Sequence, residues 1–549
     1  MSKPDKNRDA ITEALMEIQD TPQTVQARPD QVVNNAGGFV FQVSDRTRLE
    51  RFLILGTDKG TYYVQEKPLT KENINFVIEM IGRDEELVEQ VVTEISESGR
   101  AYRNNTAIFV MAALFTYGKR KNKDAFAKVV RISTHLFQFT QYIELLGGWG
   151  RSKRAAVASW YERKTPDQVA YQAVKYRQRD GWTHRDMFRL SHPVGIDKSV
   201  GSFILGKPLP NMASVEERSD ILIGFDRVSG AENVQTVLNV LNDHPLLPWE
   251  ALPTQFLKNA EVWKKLFYNG QLKGQALVRN ITRLARIGAF NDMVFTREVA
   301  TALTTESMIA RTKLHPIQYL LALTVHENGQ IWRSKKPGDI PPPGYSYTTQ
   351  RVKDWNTNPV IVAALNEGFY KAFKYVEPAN KRTMLALDVS GSMGSPAMGI
   401  DLNCAQVGAA MAMTIMRTEP YYQVYGFGSQ FVDLGLTASM DLNDVMKRVS
   451  RPFMSTDCSL PMLFAERNNI AVDTFVVITD SETYAGRPHP FQALRTYRQK
   501  TGIDAKLVVV GLTATDFTIA DPSDRGMLDV CGGDANLPSL IANFSAGRI

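Results

Sequence analysis

Cysteine is scarce in this chain. Only Cys404, Cys458 and Cys531 occur among 549 residues, far apart and without C-x-x-C spacing. That excludes a disulfide framework and a zinc knuckle and leaves three reduced thiols. Long apolar runs are missing too: no stretch approaches the roughly 18 consecutive apolar residues of a membrane-spanning helix. The opening "MSKPDKNRDAITEALMEIQD" has no apolar core of a secretion signal. These absences predict a cytoplasmic protein with no membrane partner. No segment repeats at a fixed period, so periodicity alone does not establish a solenoid.

What is present is apolar material and an uneven charge. With 44% hydrophobic residues over this length, two or more cores are expected. The formal net charge is +6, but residues 381–549 carry 14 Lys+Arg against 17 Asp+Glu, while residues 1–380 carry 50 against 41. The basic surplus of the first part fits a polyanionic partner.

After a polar tail over residues 1–30, residues 70–330 read as amphipathic helices of about 10–18 residues joined by short turns. "NNTAIFVMAALFTYG" and "PIQYLLALTVHENG" are apolar enough to be core helices. In "TPDQVAYQAVKYRQRDG" Thr165 can cap, Pro166 suits the first helical position and Gly181 lies just past the expected end. "SKKPGDIPPPGYSY", residues 334–347, reads as a linker or surface insertion. Beyond it, "TMLAL", "YYQVYGF", "TFVVIT" and "AKLVVVGL" alternate with helical stretches, the pattern of a doubly wound parallel sheet covered on both faces. The expected division is a tail over 1–30, a helical domain over 31–360 and an α/β domain over 361–549.

"LALDVSGSM", residues 385–393, ends a buried strand on Asp388 followed by Ser390 and Ser392. A nucleophile elbow needs G-x-S-x-G, and Ser390 stands where the first glycine belongs. A phosphotransferase aspartate needs a second carboxylate close behind, and Val389 and Ser390 follow instead. What remains is a set of oxygen donors for a hard cation. Ligands of such folds sit beyond the carboxyl ends of the strands. Asp480 ends "TFVVITD" at that same edge, and "STDCSLP" can bring Thr456 between them. Asp388, Ser390, Ser392, Thr456 and Asp480 thus form a candidate magnesium site with room for an incoming acidic ligand. The competing reading is that Asp388 and Asp480 merely cap loops.

In the helical part Lys175 and Arg179 are four residues apart, hence on one helix face, with Tyr176, Arg177 and Trp182 close by. Cations with aromatics suit phosphate contact and base stacking, although a solvated face would look the same. Thr183 with Asp186 makes a capping box for the next helix, which ends at "RLSHP" and places His192 near its far end.

Several segments together resemble the Ro ribonucleoprotein family. "NNAGGFVFQVSD", "RFLILGTDKGTYY", "GGWGRSKR", "VKYRQRDGWTHRD", "RLSHP" and "KLHPIQYL" look like its TROVE module, and "LALDVSGSM", "FVVITDSETYAG" and "FTIADPSDRGMLDVCG" look like its von Willebrand factor A domain. The likeness runs from about Val32 to Phe544 and is closer to bacterial members. It implies an all-α HEAT-like helical-repeat ring, monomeric, followed by the A domain with a metal-ion-dependent adhesion site. It implies a non-enzymatic RNA-binding protein of non-coding RNA quality control. Structured Y RNAs would lie on its outer basic surface, and single-stranded 3′ ends of misfolded RNAs in its central hole. The RNA can tether polynucleotide phosphorylase in bacterial relatives. The family's RNA-contacting residues correspond to Lys175, Arg179 and His192; Arg151, Lys153, Arg154 and Arg185 are further candidates chosen by charge. Where the family usually has two glycines before the metal-site threonine, this chain has Met454 and Ser455. The alternatives are an adhesion-type module binding an acidic partner through the metal, and a metal-dependent RNA hydrolase, for which no catalytic base is evident beside the metal.

Overall fold

In the computed structural model the described residues are 20–55, 71–101, 103–179, 181–207, 219–312, 314–331, 351–373, 376–394, 402–449, 455–513, 515–533 and 536–548. They sort into two units, one holding residues up to Asn73, Arg100–Tyr102 and those from Phe373 on, the other Ile74–Gly99 and Arg103–Ala372. These units do not follow the boundaries at 30 and 360 that the sequence suggested, because the N-terminal segment is built into the sheet-bearing unit. The proline-rich segment 334–347 lies outside the described residues.

The middle unit is helical. Asn105–Tyr117 buries every residue from Thr106 to Phe115, as its unbroken apolar run predicts. It packs on Ser133–Leu146, and the pattern continues locally: Arg151–Glu162 on His184–Ser191, Pro166–Lys175 on Asp220–Ser229, and Pro316–Asn328 on Pro359–Lys371. Each helix finds its partner a few elements away, the quasi-one-dimensional logic of helical repeats. Thr165 forms its capping box with Gln168, with Pro166 in the first turn. The helix nevertheless ends at Lys175 rather than near Gly181. Residues Gln178–Arg179 pair antiparallel with Trp182–Thr183, and Gly181 turns the hairpin at φ +82°. Asp-Gly is a strong two-residue hairpin signal, and the polar run before it has no apolar side chain to bury on a helix face. Lys175 and Arg179 therefore do not share a helix face. Among the described residues no helix is long and apolar enough to cross a membrane.

Burial lowers the pKa of three histidines in this unit. His184 Nδ1 lies 2.8 Å from Tyr161 Oη, and His326 Nε2 accepts the Asn358 amide at 3.1 Å. Burial pushes His135 and His184 down to about 3 and His326 to about 4. Each folded pKa is below its unfolded value of 6.5, so the neutral forms contribute stability that is present above pH ~6.5 and lost as pH falls toward 4. Each group should add up to about 1.4 kcal/mol per pH unit to the acid destabilisation of this unit. Denaturant melts between pH 7 and 4.5 check this: His184→Gln should flatten the slope, and an unchanged slope would remove His184 from the account.

The other unit is a six-stranded sheet in the order Met527–Cys531, Lys506–Gly511, Thr474–Thr479, Thr383–Asp388, Tyr422–Phe427 and Phe431–Asp433. The first five run parallel, as the alternating sequence predicted. Phe431–Asp433 turns back antiparallel on Tyr422–Phe427, so the sheet is mixed rather than wholly parallel; a short connection allows only a hairpin return. Thr383–Asp388 and Thr474–Thr479 are buried along their whole length, as strands covered on both faces must be. A small second sheet joins Gln31–Val33, Phe39–Gln42 and Phe517–Thr518. Arg51, on the helix Asp45–Leu55, is 1% exposed and grips both Asp529 oxygens at 2.7 and 2.8 Å. Its other arm donates to the Thr515 and Phe517 carbonyls, each at 2.8 Å.

Candidate metal centre and nucleic-acid interface

The pairing of Leu387 with Ile478 sets two strand ends side by side. Asp388 and Asp480 follow at the carboxyl edge, and Ser390, Ser392 and Thr456 are buried with them, each under 5% exposed. Asp388 Oδ1 accepts the Ser390 amide at 2.9 Å, and Ser390 and Ser392 place their hydroxyls 3.0 Å apart. Burial raises both carboxyls; the nearby Asp480 charge adds to it for Asp388, which reaches about 7. Asp480 Oδ2 is buried without a hydrogen-bond partner. Two enclosed acids with an orphan oxygen and a hydroxyl fan lack positive charge, which is the deficit a hard cation fills. The donor set fits magnesium. Among the described residues no group of three or more His, Cys, Asp or Glu that could hold a metal is found, so hydroxyls, carbonyls or water would complete any such site.

Met454 lies outside the described residues, but Thr456 is tied to the Asp480 loop: its carbonyl accepts the Tyr484 and Ala485 amides, both at 3.1 Å. Sequence reasoning missed Thr479, whose hydroxyl donates to Asp388 Oδ2 at 2.6 Å; inside an apolar strand it gave no polar signal. It missed the N-terminal clamp as well. Asn34 Nδ2 donates to the Thr483 carbonyl at 2.8 Å, Asn35 Nδ2 to Glu482 at 2.8 Å, and Gln23 Nε2 to Asp457 at 2.8 Å. Gly38 is required there, since a Cβ would stand 1.9 Å from the Thr483 carbonyl oxygen.

The basic candidates fare differently from one another. Lys175, half-buried, donates to Tyr171 Oη at 3.2 Å and lies 3.9 Å from Glu250. Burial alone would lower its pKa; Tyr171, Tyr176 and Glu250 outweigh it, and the ammonium stays charged. Arg179 sits in the hairpin, its side chain outside the described residues. His192 is exposed and caps its helix in the left-handed region at φ 50°. Arg151, Arg154 and Arg185 are exposed. Lys153 is not available to phosphate: it is 7% exposed and donates to the Gly148 carbonyl at 2.7 Å. Burial and then the Lys121 charge lower its pKa. Two cations outside the sequence-based candidate set stand with this group. Arg189 is exposed four residues after Arg185 on the same helix, and exposed Arg177 lies 4.3 Å over Phe225; helical spacing could have found the first. Trp149 meets Trp182 edge-on at 6.5 Å.

A helical-repeat module combined with an α/β A-type domain bearing an acid-and-hydroxyl cluster at its strand ends defines the class. The model of the TROVE domain matches residues 32–213 and 247–338, and that of the Ro60 vWA domain matches 382–545. The chain is 38% identical over 541 residues to the RNA-binding protein RO60 of Deinococcus radiodurans, covering 96% of this chain and 98% of that protein. It is 31% identical to the RNA-binding protein RO60 of Caenorhabditis elegans, covering 98% and 94%. The crystal structure of the Deinococcus radiodurans RO protein superimposes with a TM-score of 0.66 at 36% identity, over 92% of this chain and 100% of that one. The chain belongs to the Ro60 family.

Proposed function

We propose that the helical unit binds RNA and that the A-type unit carries a magnesium ion. The observation that carries the RNA reading is the group of exposed cations between Arg151 and His192. Arg151, Arg154, Arg185 and Arg189 form no ion pair among the described residues. Other surface cations of the unit are paired, such as Arg120 with Glu86, Arg163 with Asp124 and Lys264 with Asp292, or stand singly on other helices, such as Arg279 and Arg297, whereas these four share the packed helices Arg151–Glu162 and His184–Ser191. Unneutralised guanidiniums gain most from phosphate. The names of the relatives agree with this reading. Structured Y-type RNA would lie on this surface, and unpaired 3′ ends of misfolded RNA would enter a ring's central hole. The work done is non-coding RNA quality control in the cytoplasm by a monomeric, non-enzymatic protein, with polynucleotide phosphorylase tethered through the RNA. Lys175, Arg179 and His192 complete the set of RNA-binding side chains.

Arg185→Ala with Arg189→Ala tests the surface. Removing one cation from a phosphate lowers the slope of log affinity against log salt by about 0.9, so the double variant should flatten that slope by up to roughly 1.8. Filter-binding titrations of structured RNA across a salt series would measure it; an unaltered slope counts against this surface.

Asp388, Ser390, Ser392, Thr456 and Asp480 would hold the cation, which when bound supplies positive charge for an acidic partner's carboxylate. RNA retention should survive EDTA, whereas a metal-bridged protein contact should not.

A further inference from the structure

Beside the hairpin, the helical unit has a cavity of about 600 Å³ lined by Lys175, Tyr176, Arg177, Trp249, Glu250 and Leu257, among others. Its chemistry is mixed in a definite way. Trp249 packs on Trp263 at 5.6 Å and carries the Arg283 guanidinium at 5.3 Å, so its indole is held rather than free to swing. The Lys175 ammonium lies 5.4 Å from the Tyr176 ring centre. On the wall, Lys175 Nζ and Glu250 Oε1 are 3.9 Å apart, wider than a charge-assisted hydrogen bond of ~2.8 Å. A cationic donor and a carboxylate acceptor are thus set side by side, near enough for the edge of one planar ligand to meet both.

We propose that this cavity takes one unpaired keto base of a bound RNA, guanine above uracil, with Lys175 and Glu250 reading its edge between Tyr176 and Trp249. Guanine offers O6 to the ammonium and N1–H with the N2 amine to the carboxylate. Uracil offers O4 and N3–H but no second donor. Adenine and cytosine can meet both groups only when turned over, with one amine on the carboxylate and a ring nitrogen instead of a carbonyl oxygen on the ammonium, so they lack the two-donor grip that guanine gives Glu250. Arg177 at the rim suits the nucleotide's phosphate. The biological ligand rests on the RNA reading above, but the pocket itself is tested with free nucleotides.

Full-length protein labelled with 5-fluorotryptophan, its Trp249 signal assigned by Trp249→Phe, is titrated with GMP, UMP, AMP and CMP by fluorine NMR. GMP should shift the Trp249 resonance with at least tenfold higher affinity than AMP or CMP, with UMP between. Glu250→Gln, checked for folding by circular dichroism, should cut the GMP-over-AMP preference at least tenfold. Equal responses to GMP and AMP, or none from Trp249 up to 10 mM GMP, overturn the proposal even if the protein retains RNA on filters. Base discrimination in a protein that retains no RNA upholds the pocket and sinks only the RNA reading.

Discussion

Arg51→Ala is expected to cost the sheet-bearing unit about 3–5 kcal/mol, because it strips the partner from a buried carboxylate. Arg51 is fully enclosed, forks onto Asp529 and satisfies two carbonyls 464 and 466 residues away. The variant leaves Asp529 charged, or protonated at a cost, and opens a cavity of arginine size. Lysine should restore only part of the loss, since one ammonium cannot replace the planar fork. Replacing both partners at once, Arg51→Met with Asp529→Leu, should recover most of it, for no orphan charge is then left. Urea unfolding followed by near-ultraviolet circular dichroism gives the comparison. A loss below about 1 kcal/mol for Arg51→Ala would mean that the N-terminal helix does not hold the sheet.

The second large effect concerns the acid-and-hydroxyl cluster. Asp388 and Asp480 are both about 1% exposed, a like-charge arrangement that repels itself without a cation. Magnesium at a hundredfold excess over its dissociation constant should stabilise this unit by about 2.7 kcal/mol, and EDTA should remove the gain. Asp388→Asn should abolish the magnesium response and, in EDTA, melt no lower than the wild type, because one buried charge is gone. Thermal melts of the four combinations suffice. A magnesium gain that persists in both Asp388→Asn and Asp480→Asn would place the ion elsewhere. The clamp gives a related handle, since Asn34, Asn35 and Gln23 hold the loop after Asp480 from the N-terminal side, Gln23 through its backbone amide on the Gly486 carbonyl.

Much of the site was legible because its signals are local. Asp388, Ser390 and Ser392 follow an apolar strand within five residues, and the alternation of apolar runs with helices places Asp480 at the same edge. Thr456 came from a loop whose chain path the sequence does not state, and its link to Tyr484 and Ala485 had to be seen. On the helical side, the caps at Thr165 and Thr183 were readable, as short-range hydrogen bonding is encoded in neighbouring residues. The end of the helix at Lys175 was misread because helical spacing was extended through a polar run that the Asp-Gly turn had already claimed.

The sequence by itself determined the two kinds of architecture, the strand-end acids and the family, since periodicity and motif order are properties of neighbours along the chain. Tertiary structure alone decided which charges are spent. Lys153 is buried on the Gly148 carbonyl while Arg151 and Arg154, within three residues of it, face solvent. It also decided that residues 20–55 belong with the sheet rather than with the helices that follow. Arg51 and Asp529 stand 478 positions apart, and no local pattern announces a pair that only the folded core brings together.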